Sequence, residues 1–567
     1  MSKTKPGLFA REATGLVREV GFMLGVIIIM SHVVGLGWQK RAFQFTGPRP
    51  VPTDALPLGL PAIFWAFLIC GIIVMITGYA AGYVTAAMPR SGGGYVTISR
   101  VIHPVVGYNA GWLMFLAEAF SYGLIGVAVF EAIMIFYNIA LAPTIIAFDA
   151  MTLFLGGVLI IIIFTALALF GVRLYGWLMH GMFWPTLIIT VAFFGMWIAG
   201  AMDPSATGPV AMGVNEVMGA PPSTFVTLAI NTGMTDSANV ATFYDAFSYA
   251  LAGAFWAYMG WYSVTFIAGE VKEANKKLPM VVLFSGLIIM LIYLGSSSFS
   301  AISTMAVAET PDGKWGFFQA YSWLSYGPDA AKEAAKATIP NFQAAWSTGI
   351  ASLIARGMGL GWLSWLIALA GVLWLANDIP PFLLVASRTM FAMSFDRMMP
   401  EKLAEVSERW HSPTWALIIT GVFGIVGCLA EANPVVEEIA LGKYVEFAGV
   451  VGTDIFDATF LTLFCISMML LPLERKEIYD RAAVKYSVGT VVGLGAIASL
   501  LAGYCLFTFV KESVSFMFSP VGTEKLVSSI GFWGCIIVGI LLYVYYMYRN
   551  TTKGVDMRTL YLSIPPE

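Results

Sequence analysis

The stretch that decides the fold is MSHVVGLGWQKR, residues 30–41, which interrupts an apolar run that begins near Val20. Its two glycines, Gly35 and Gly37, each destabilise a helix by about 1 kcal/mol relative to alanine. In a lipid bilayer, any backbone group that leaves the helix must find a partner within the protein or in a cavity, and a solute can be that partner. The stretch therefore predicts a membrane helix broken beside a cavity. The alternative is that the glycines only let neighbouring helices pack closely.

A similar interruption, GAFWAYMGWYS, lies at residues 253–263, where Gly253 and Gly260 flank a dense group of aromatic side chains. These aromatic residues are Phe255, Trp256, Tyr258, Trp261 and Tyr262. The two interruptions fall where two five-span halves would each begin. Interrupted helices at matching positions of two halves are typical of transporters with inverted repeats, whose substrate binds near the middle of the membrane at exposed helix ends.

The composition places the whole chain in a bilayer. Of 567 residues, 58% are hydrophobic and 11% are charged, with a mean hydropathy of +0.79, so this much apolar surface cannot face water. The net charge of −3 and the scattered basic residues give no patch for nucleic acid, which is excluded as a partner. The five cysteines lie singly in apolar runs, so we predict no metal site and no cofactor.

We predict an all-α integral membrane protein with about 12 spans of roughly 20 residues each. The predicted spans begin near Val20, Pro61, Gly107, Met151, Tyr175, Ala246, Met280, Gly361, Thr414, Tyr444, Val488 and Ser529. An even number of spans puts both termini on one side. The N-tail, C-tail and alternate loops hold about 21 of the 31 basic residues, which predicts cytoplasmic termini in the plasma membrane.

The predicted organisation has four parts. Residues 1–19 form a cytoplasmic N-tail, 20–472 a ten-helix core with halves at about 20–200 and 246–472, 473–549 two further spans, and 550–567 a cytoplasmic C-tail. Two long outer loops, 201–245 and 308–349, are rich in Gly, Pro, Ser, Asn and Asp, which favours irregular structure with short helices at most. No loop is long enough for a soluble domain.

Four stretches, in this order, resemble the amino acid-polyamine-organocation permeases. They are GLG at 35–37, PRSGGGYVTISR at 89–100, WAYMGWYSVTFIAGEVKEANKKLP at 256–279 and SRTMFAMSFDRMMPEKL at 387–403. The resemblance covers most of the chain. It implies a 5+5 inverted repeat of broken helices plus two C-terminal helices, and a permease that moves amino acids or related amines.

The resemblance also implies a substrate site. In that superfamily the broken first span binds the substrate's carboxylate through backbone amides, a role that falls here to Gly35, Leu36 and Gly37. Leu36 stands where many relatives have serine, so a hydroxyl contact is missing while the backbone contact can persist. Trp256 matches an aromatic residue that stacks on substrate in relatives. Tyr258, Gly260 and Trp261 follow it in register.

Two positions depart from the superfamily's pattern. Tyr262 stands where many relatives have glutamate, which puts the role of that acid in doubt. In span five, the lysine of proton-coupled relatives falls at Thr186 or Pro185, so a lysine-based proton switch is not supported.

Ionisable residues inside spans are functional candidates because a charge at a helix centre costs about 3 kcal/mol on insertion scales. Glu118 in span three is a candidate for substrate binding or proton transfer; the alternative is a neutral structural carboxyl group. Asn377 and Asp378 precede two prolines in span eight, where a kink beside a carboxylate suits a cation. Glu131 lies near the outer end of span three, where we favour a solvated, structural role.

Asp454 and Asp457 are three residues apart and share one helix face, so they are candidates for binding a cation or a proton; the alternative is that they line a watery cleft. His32 precedes the break in span one and is a further candidate, although a lone histidine is more often a hydrogen-bonded core residue.

The sequence therefore favours a secondary transporter that works by alternating access. The other hypotheses are a sensor of the same fold without transport and a membrane enzyme, for which the chain offers neither HExxH nor GxSxG. The substrate, the coupling ion (proton, sodium or exchange), the direction of transport and the oligomeric state stay open.

Overall fold

A computed structural model describes residues 8–141, 146, 148–302, 308–310, 313–432, 452–520 and 525–566. The chain forms long helices joined by short ones. The helices are α1 Phe22–Val33, α2 Ala42–Gln44, α3 Ala62–Ala87, α4 Gly93–Val101, α5 Pro104–Leu141, α6 Ala150–Ala168, α7 Gly171–Met202, α8 Pro209–Met218, α9 Pro222–Asn231, α10 Phe243–Tyr258, α11 Ala274–Ile302, α12 Phe317–Tyr326, α13 Asp329–Thr338, α14 Trp346–Gly357, α15 Gly361–Phe395, α16 Thr414–Glu431, α17 Thr453–Glu474, α18 Lys476–Tyr479, α19 Val488–Met517, α20 Leu526–Thr552 and α21 Met557–Leu562.

Ten of the described helices are long and apolar enough to cross a membrane, and an eleventh crossing forms if α1 and the helical segment Gly37–Gln44 count as one bent span. The predicted sixth span is α10, which has only 16 residues because its helix stops at Tyr258. The predicted start of span ten near Tyr444 lies outside the described residues, and the described helix begins at Thr453. The all-α membrane fold is confirmed.

The helix breaks lie where the sequence predicts them. In span one, α1 ends at Val33, and the chain resumes as a π-helix, Gly37–Arg41, with a bend of 41° between the two parts. In span six, Met259 leaves the helix with extended backbone (ψ 143°), and Gly260 has φ +90°. A positive φ of this size favours glycine. The glycines therefore end both helices inside the bundle.

The second outer loop contains one element that the sequence did not predict. Residues 308–310 (β1) and 313–315 (β2) form a short antiparallel pair, so the expectation of short helices at most was wrong here. The pairing is local because only two residues separate the strands. The other described elements of the two outer loops are short helices, α8 and α9 in the first and α12 to α14 in the second.

The described parts of both tails lie at the same end of the bundle. The Arg397 side chain donates a hydrogen bond to the Phe9 carbonyl (2.8 Å), and the Asn550 amide donates to the Arg397 carbonyl (2.8 Å). This agrees with an even number of spans. We call this the inner end and the opposite one the outer end, following the predicted cytoplasmic position of the termini. Spans keep their predicted order: span three is α5, span seven α11, span eight α15 and span ten α17.

Candidate functional site

A small cavity of about 40 Å³ lies between the two helix breaks, and we call it the central cavity. Nine of the predicted site residues line it: His32, Leu36, Gly37, Glu118, Trp256, Gly260, Asp378, Asp454 and Asp457. The lining also includes residues that the sequence did not single out: Val33, Ala117, Ser121, Leu124, Ile125, Ala257, Met259, Phe382 and Thr453. Side chains from spans one, three, six, eight and ten thus meet at one place.

The other predicted residues lie around the cavity. Asn377 donates to the Ser31 hydroxyl (2.6 Å), and the Tyr258 hydroxyl donates to the Phe67 carbonyl (3.0 Å). Thr186 donates to the Met182 carbonyl of its own helix (2.5 Å). Trp261 packs against Gly78 and meets the Tyr262 ring edge-on at 5.6 Å. Gly35 lies directly against the Asp378 carboxylate.

The glycines of the breaks also permit close packing, so the two interpretations of the opening stretch hold together. A Cβ atom on Gly35 would overlap the Asp378 carboxylate. A Cβ on Gly37 would lie 2.6 Å from the Ala257 Cβ. At Gly260, a Cβ would lie 2.6 Å from the His32 ring, in addition to the strain of a positive φ. Spans one, six and eight therefore approach each other at the breaks more closely than any larger residue allows.

Tyr293 in span seven connects the two breaks, a role that the sequence did not predict. Its hydroxyl lies 2.5 Å from the Val33 carbonyl oxygen and 2.7 Å from that of Ala257. These carbonyls lie in the last turns of α1 and α10, where C=O groups lack helical partners. Because a hydroxyl has one hydrogen, the two carbonyls share it. In the sequence, the one indication of this contact is that a tyrosine places a polar hydroxyl group in an apolar span.

The charged groups of the central cavity are mostly acidic. His32 Nε2 lies 3.2 Å from Glu118 Oε2, and both side chains are at most 3% exposed. Asp457 accepts a hydrogen bond from the Tyr262 hydroxyl. Tyr262, which stands where many relatives have glutamate, therefore hydrogen-bonds an acidic side chain here. Within the part of the chain that the structure describes, no lysine or arginine lines the cavity.

The outer side of the cavity is closed by two cations of span one, a group we call the outer closure. Lys40 Nζ lies 3.0 Å from Glu131 and 4.0 Å from Glu431. The Arg41 guanidinium lies 4.2 Å from the ring centroid of Trp256, within the range of a cation–π contact. Glu131 therefore forms an ion pair with Lys40, and its side chain is 21% exposed.

The inner side is closed by two buried arginine–carboxylate pairs, the inner closure. Arg388 Nε donates to Glu270 Oε1 (2.8 Å) and Nη2 to Oε2 (3.1 Å). Arg100 Nη1 and Nη2 donate to the two oxygens of Asp396 (2.6 and 2.8 Å). All four residues lie within the stretches that carry the resemblance, but the sequence alone does not pair them. The pairing joins positions more than 100 residues apart, so only the fold reveals it.

None of these groups forms a metal site: among the described residues, no three His, Cys, Asp or Glu side chains are placed to hold a metal ion.

Comparison with known proteins adds a family model, described as "Amino acid permease", that matches residues 23–543. The chain is also similar to b(0,+)-type amino acid transporter 1 of Mus musculus, at 24% identity over 273 residues, 48% of each chain. It is 24% identical to Cationic amino acid transporter 3, mitochondrial, of Arabidopsis thaliana (68% of this chain, 55% of that protein). It is 23% identical to Branched-chain amino acid permease BcaP of Bacillus subtilis (strain 168) (53% and 50%). In these matches the chain spans about half the length of its curated relatives.

Proposed function

The chain belongs to the amino acid permease family, and on that premise we propose that it is a secondary active transporter. It moves amino acids or related amines across the plasma membrane by alternating access, with both termini in the cytoplasm. It carries no enzymatic activity in this proposal, and it needs no cofactor.

The observation that carries the proposal is the central cavity between two broken helices. A helix end offers free amide or carbonyl groups, and these suit the carboxylate and the ammonium group of a zwitterion. In the proposal, the backbone at residues 35–37 binds the substrate's carboxylate, and the ends of α1 and α10 bind its amino group. Trp256 covers the substrate from the outer side. The relatives named for amino acid transport support this class of substrate.

Alternating access follows from the closures above and below the cavity. A volume of about 40 Å³ holds about two to four water molecules by the usual requirement of roughly 10–15 Å³ for each. An amino acid therefore needs helix movement to enter. The outer closure must separate to admit a solute from outside, and the inner closure must separate to release it. The buried carboxylates of spans three, eight and ten suit either a proton or a sodium ion as the coupling ion.

Uptake into proteoliposomes tests the proposal. The purified chain should accumulate labelled amino acids against their gradient when a proton or sodium gradient is imposed. Binding without accumulation would instead support a sensor of the same fold. Lack of both would contradict a role in amino acid recognition.

A pair of identical substitutions links uptake to the helix breaks. Gly37→Ala should reduce uptake strongly because the new methyl group lies 2.6 Å from Ala257, and such overpacking costs about 1–3 kcal/mol. Gly181→Ala is the matched control, since nothing lies within 4 Å of a Cβ there. Equal uptake by both variants would contradict a substrate site at the break.

A further inference from the structure

We propose that a groove on the surface of the inner end binds a phospholipid with an anionic headgroup. The groove lies between the N-tail, the first turns of α7, the loop that follows α15 and the segment before α11, and we call it the basic groove. The inference concerns the lipid around the chain, so it is independent of the transported solute and of the central cavity.

The basic groove consists of two adjoining cavities of about 500 and 670 Å³. Four residues line both of them, Glu19, Val172, Arg173 and Trp177, so the space is continuous. The central cavity, by comparison, has about 40 Å³. The basic groove therefore has room for a lipid headgroup without any movement of the helices.

Contacts between distant segments hold the walls of the basic groove in place. The Trp410 ring meets the Phe170 ring edge-on at 5.2 Å. Gly171 has φ +91°, and a Cβ there would overlap the Trp410 carbonyl oxygen, so the loop after α15 lies directly on the start of α7. On the other side, the Lys272 amide donates to the Val20 carbonyl (2.8 Å). The basic groove is thus a fixed part of the fold.

The lining of the basic groove has an excess of positive charge. Arg173, Lys272 and Arg409 lie in it, and none of them forms an ion pair with a carboxylate among the described residues. Two carboxylates lie there as well. Glu270 already accepts two hydrogen bonds in the inner closure, which leaves Glu19 as the free one. Three positive charges therefore face one free negative charge.

The same lining places tryptophan side chains on the exposed surface. Trp177 is 70% exposed, Trp184 41% and Trp410 38%. Tryptophan is enriched where a membrane meets water, because its ring sits at the level of the lipid headgroups. This enrichment puts the three cations of the basic groove at headgroup level too.

An apolar face of α7 continues from the basic groove toward the middle of the membrane. Ile188 and Val191 are 70% and 73% exposed. Together with Trp177 and Trp184 they recur at intervals of seven, four and three residues, so all four share one face of the helix. A lipid whose headgroup lies in the basic groove can therefore lay its acyl chains along this face.

An anionic headgroup matches this arrangement better than a zwitterionic one. The phosphate of a phospholipid carries one negative charge, and an arginine fork binds it through two hydrogen bonds. A phosphocholine headgroup brings its own cation, which the positive charges of the basic groove repel. A phosphoglycerol headgroup brings none. Basic pockets on the cytoplasmic side of membrane proteins bind anionic headgroups for this reason.

Two lipids that differ in headgroup charge test the inference on the full-length protein. Native mass spectrometry of the purified chain in detergent is carried out during titration with phosphatidylglycerol or with phosphatidylcholine of the same acyl chains. We expect phosphatidylglycerol to bind at least about fivefold more tightly, the factor that one basic side chain contributes near an anionic lipid. Equal affinity for the two lipids would overturn the proposal.

Substitutions of opposite sign assign the binding to the basic groove. Arg173→Gln, Lys272→Gln and Arg409→Gln should each weaken phosphatidylglycerol binding about fivefold, whereas Glu19→Gln should strengthen it. Arg481→Gln, in the inner loop between α18 and α19, is the matched control and should change nothing. All five side chains are exposed, so the fold should tolerate their loss. An unchanged affinity in all three cation variants, or an equal loss in the control, would overturn the proposal.

Two further measurements separate a lipid from a free phosphate anion. Glycerol phosphate carries the charge without the chains, so it should not displace phosphatidylglycerol at equal concentration. Displacement would show that the basic groove takes a soluble anion, and the lipid would be the wrong occupant. Trp177→Ala should weaken the binding of both lipids. Trp362→Ala, on a tryptophan of similar exposure (65%) at the start of α15, is the control, and equal effects of the two would also overturn the proposal.

Discussion

The two ends of the helix bundle are closed by ion pairs of different kinds. At the outer end, Lys40 and Glu131 share one hydrogen bond, at 3.0 Å, and the two side chains are 14% and 21% exposed. At the inner end, Arg388–Glu270 and Arg100–Asp396 each make two hydrogen bonds, and none of the four side chains exceeds 2% exposure.

The difference concerns the cost of opening. A lysine is a flexible point charge that water can solvate as the pair separates, whereas an arginine fork on a carboxylate is directional. A pair between solvent-exposed side chains is worth about 0–1 kcal/mol, and the partly exposed outer pair comes closer to that case than the inner pairs do. Removal of one partner from a buried pair leaves a charge without compensation, at a cost of about 3–5 kcal/mol. The comparison therefore predicts that the outer end opens more readily than the inner end.

The largest expected effect comes from breaking an inner pair. Arg388→Met leaves Glu270 buried without its partner and should lower the free energy of unfolding by about 3–5 kcal/mol. The measurement is thermal unfolding of the purified protein in detergent, followed by tryptophan fluorescence. The double variant Glu270→Met with Arg388→Met is the control, and it should regain most of the lost stability because no charge is left unpaired. A double variant as unstable as the single one would show that packing, not charge, holds this end together.

A smaller loss of stability is expected when the positive charge stays and only the two-pronged guanidinium contact with the carboxylate is lost. Arg100→Lys keeps the positive charge beside Asp396 but removes one of the two hydrogen bonds between these two side chains. A hydrogen bond to a charged group contributes about 1.5–3 kcal/mol, so the loss of stability should fall below that of Arg388→Met. Unfolding measured under the same conditions gives the ranking. An effect near zero would mean that the inner end resembles the outer one, since lysine would then serve there equally well.

The sequence predicted the features that local chemistry determines. Gly35, Gly37 and Gly260 predicted the helix breaks because glycine is costly in a helix, and a positive φ such as that of Gly260 favours glycine. Burial of charge in apolar spans singled out Glu118, Asp378 and Asp457, and the cavity lining includes all three. Their roles stay predictions.

Contacts between distant parts of the chain could not be predicted. Arg388 and Glu270 are 118 positions apart, and Tyr293 reaches Val33 across 260 positions. Only the packing of the spans brings these residues together. The same holds for Lys40, whose charge in span one is compensated by Glu131 and Glu431, residues distant in the sequence.

Opening of the outer end should respond to Lys40 by a modest factor. Lys40→Met removes both ion pairs of the outer closure, and a gain of up to about 1 kcal/mol for the open form corresponds to at most about fivefold more of it. A cysteine introduced at Ser121, which lines the central cavity, should then react up to fivefold faster with a membrane-impermeant thiol reagent added from outside. The same cysteine in the otherwise unmodified chain is the reference. A slower reaction would contradict the ranking of the two ends. So would a rate increase that corresponds to the about 3–5 kcal/mol expected for loss of an inner partner.

The smallest effect is expected from an ion pair at the inner surface that belongs to neither closure. Glu273 accepts a hydrogen bond from Lys277 on an exposed turn, and this contact lowers the pKa of Glu273 below its usual 4.5. A lowered pKa means that the pair contributes stability above about pH 4.5 and loses that contribution as the pH falls through the lowered value.

Glu273→Gln tests this end of the ranking by comparison of Tm at pH 7 and at pH 3.5. Because both side chains are exposed to water, the difference from the unmodified protein should be barely detectable at pH 7 and smaller still at pH 3.5, where protonation of Glu273 weakens the pair. A loss of Tm at pH 7 that matches the loss for Arg100→Lys would show that exposure does not set the strength of these pairs, and the contrast between the two ends would then need another cause.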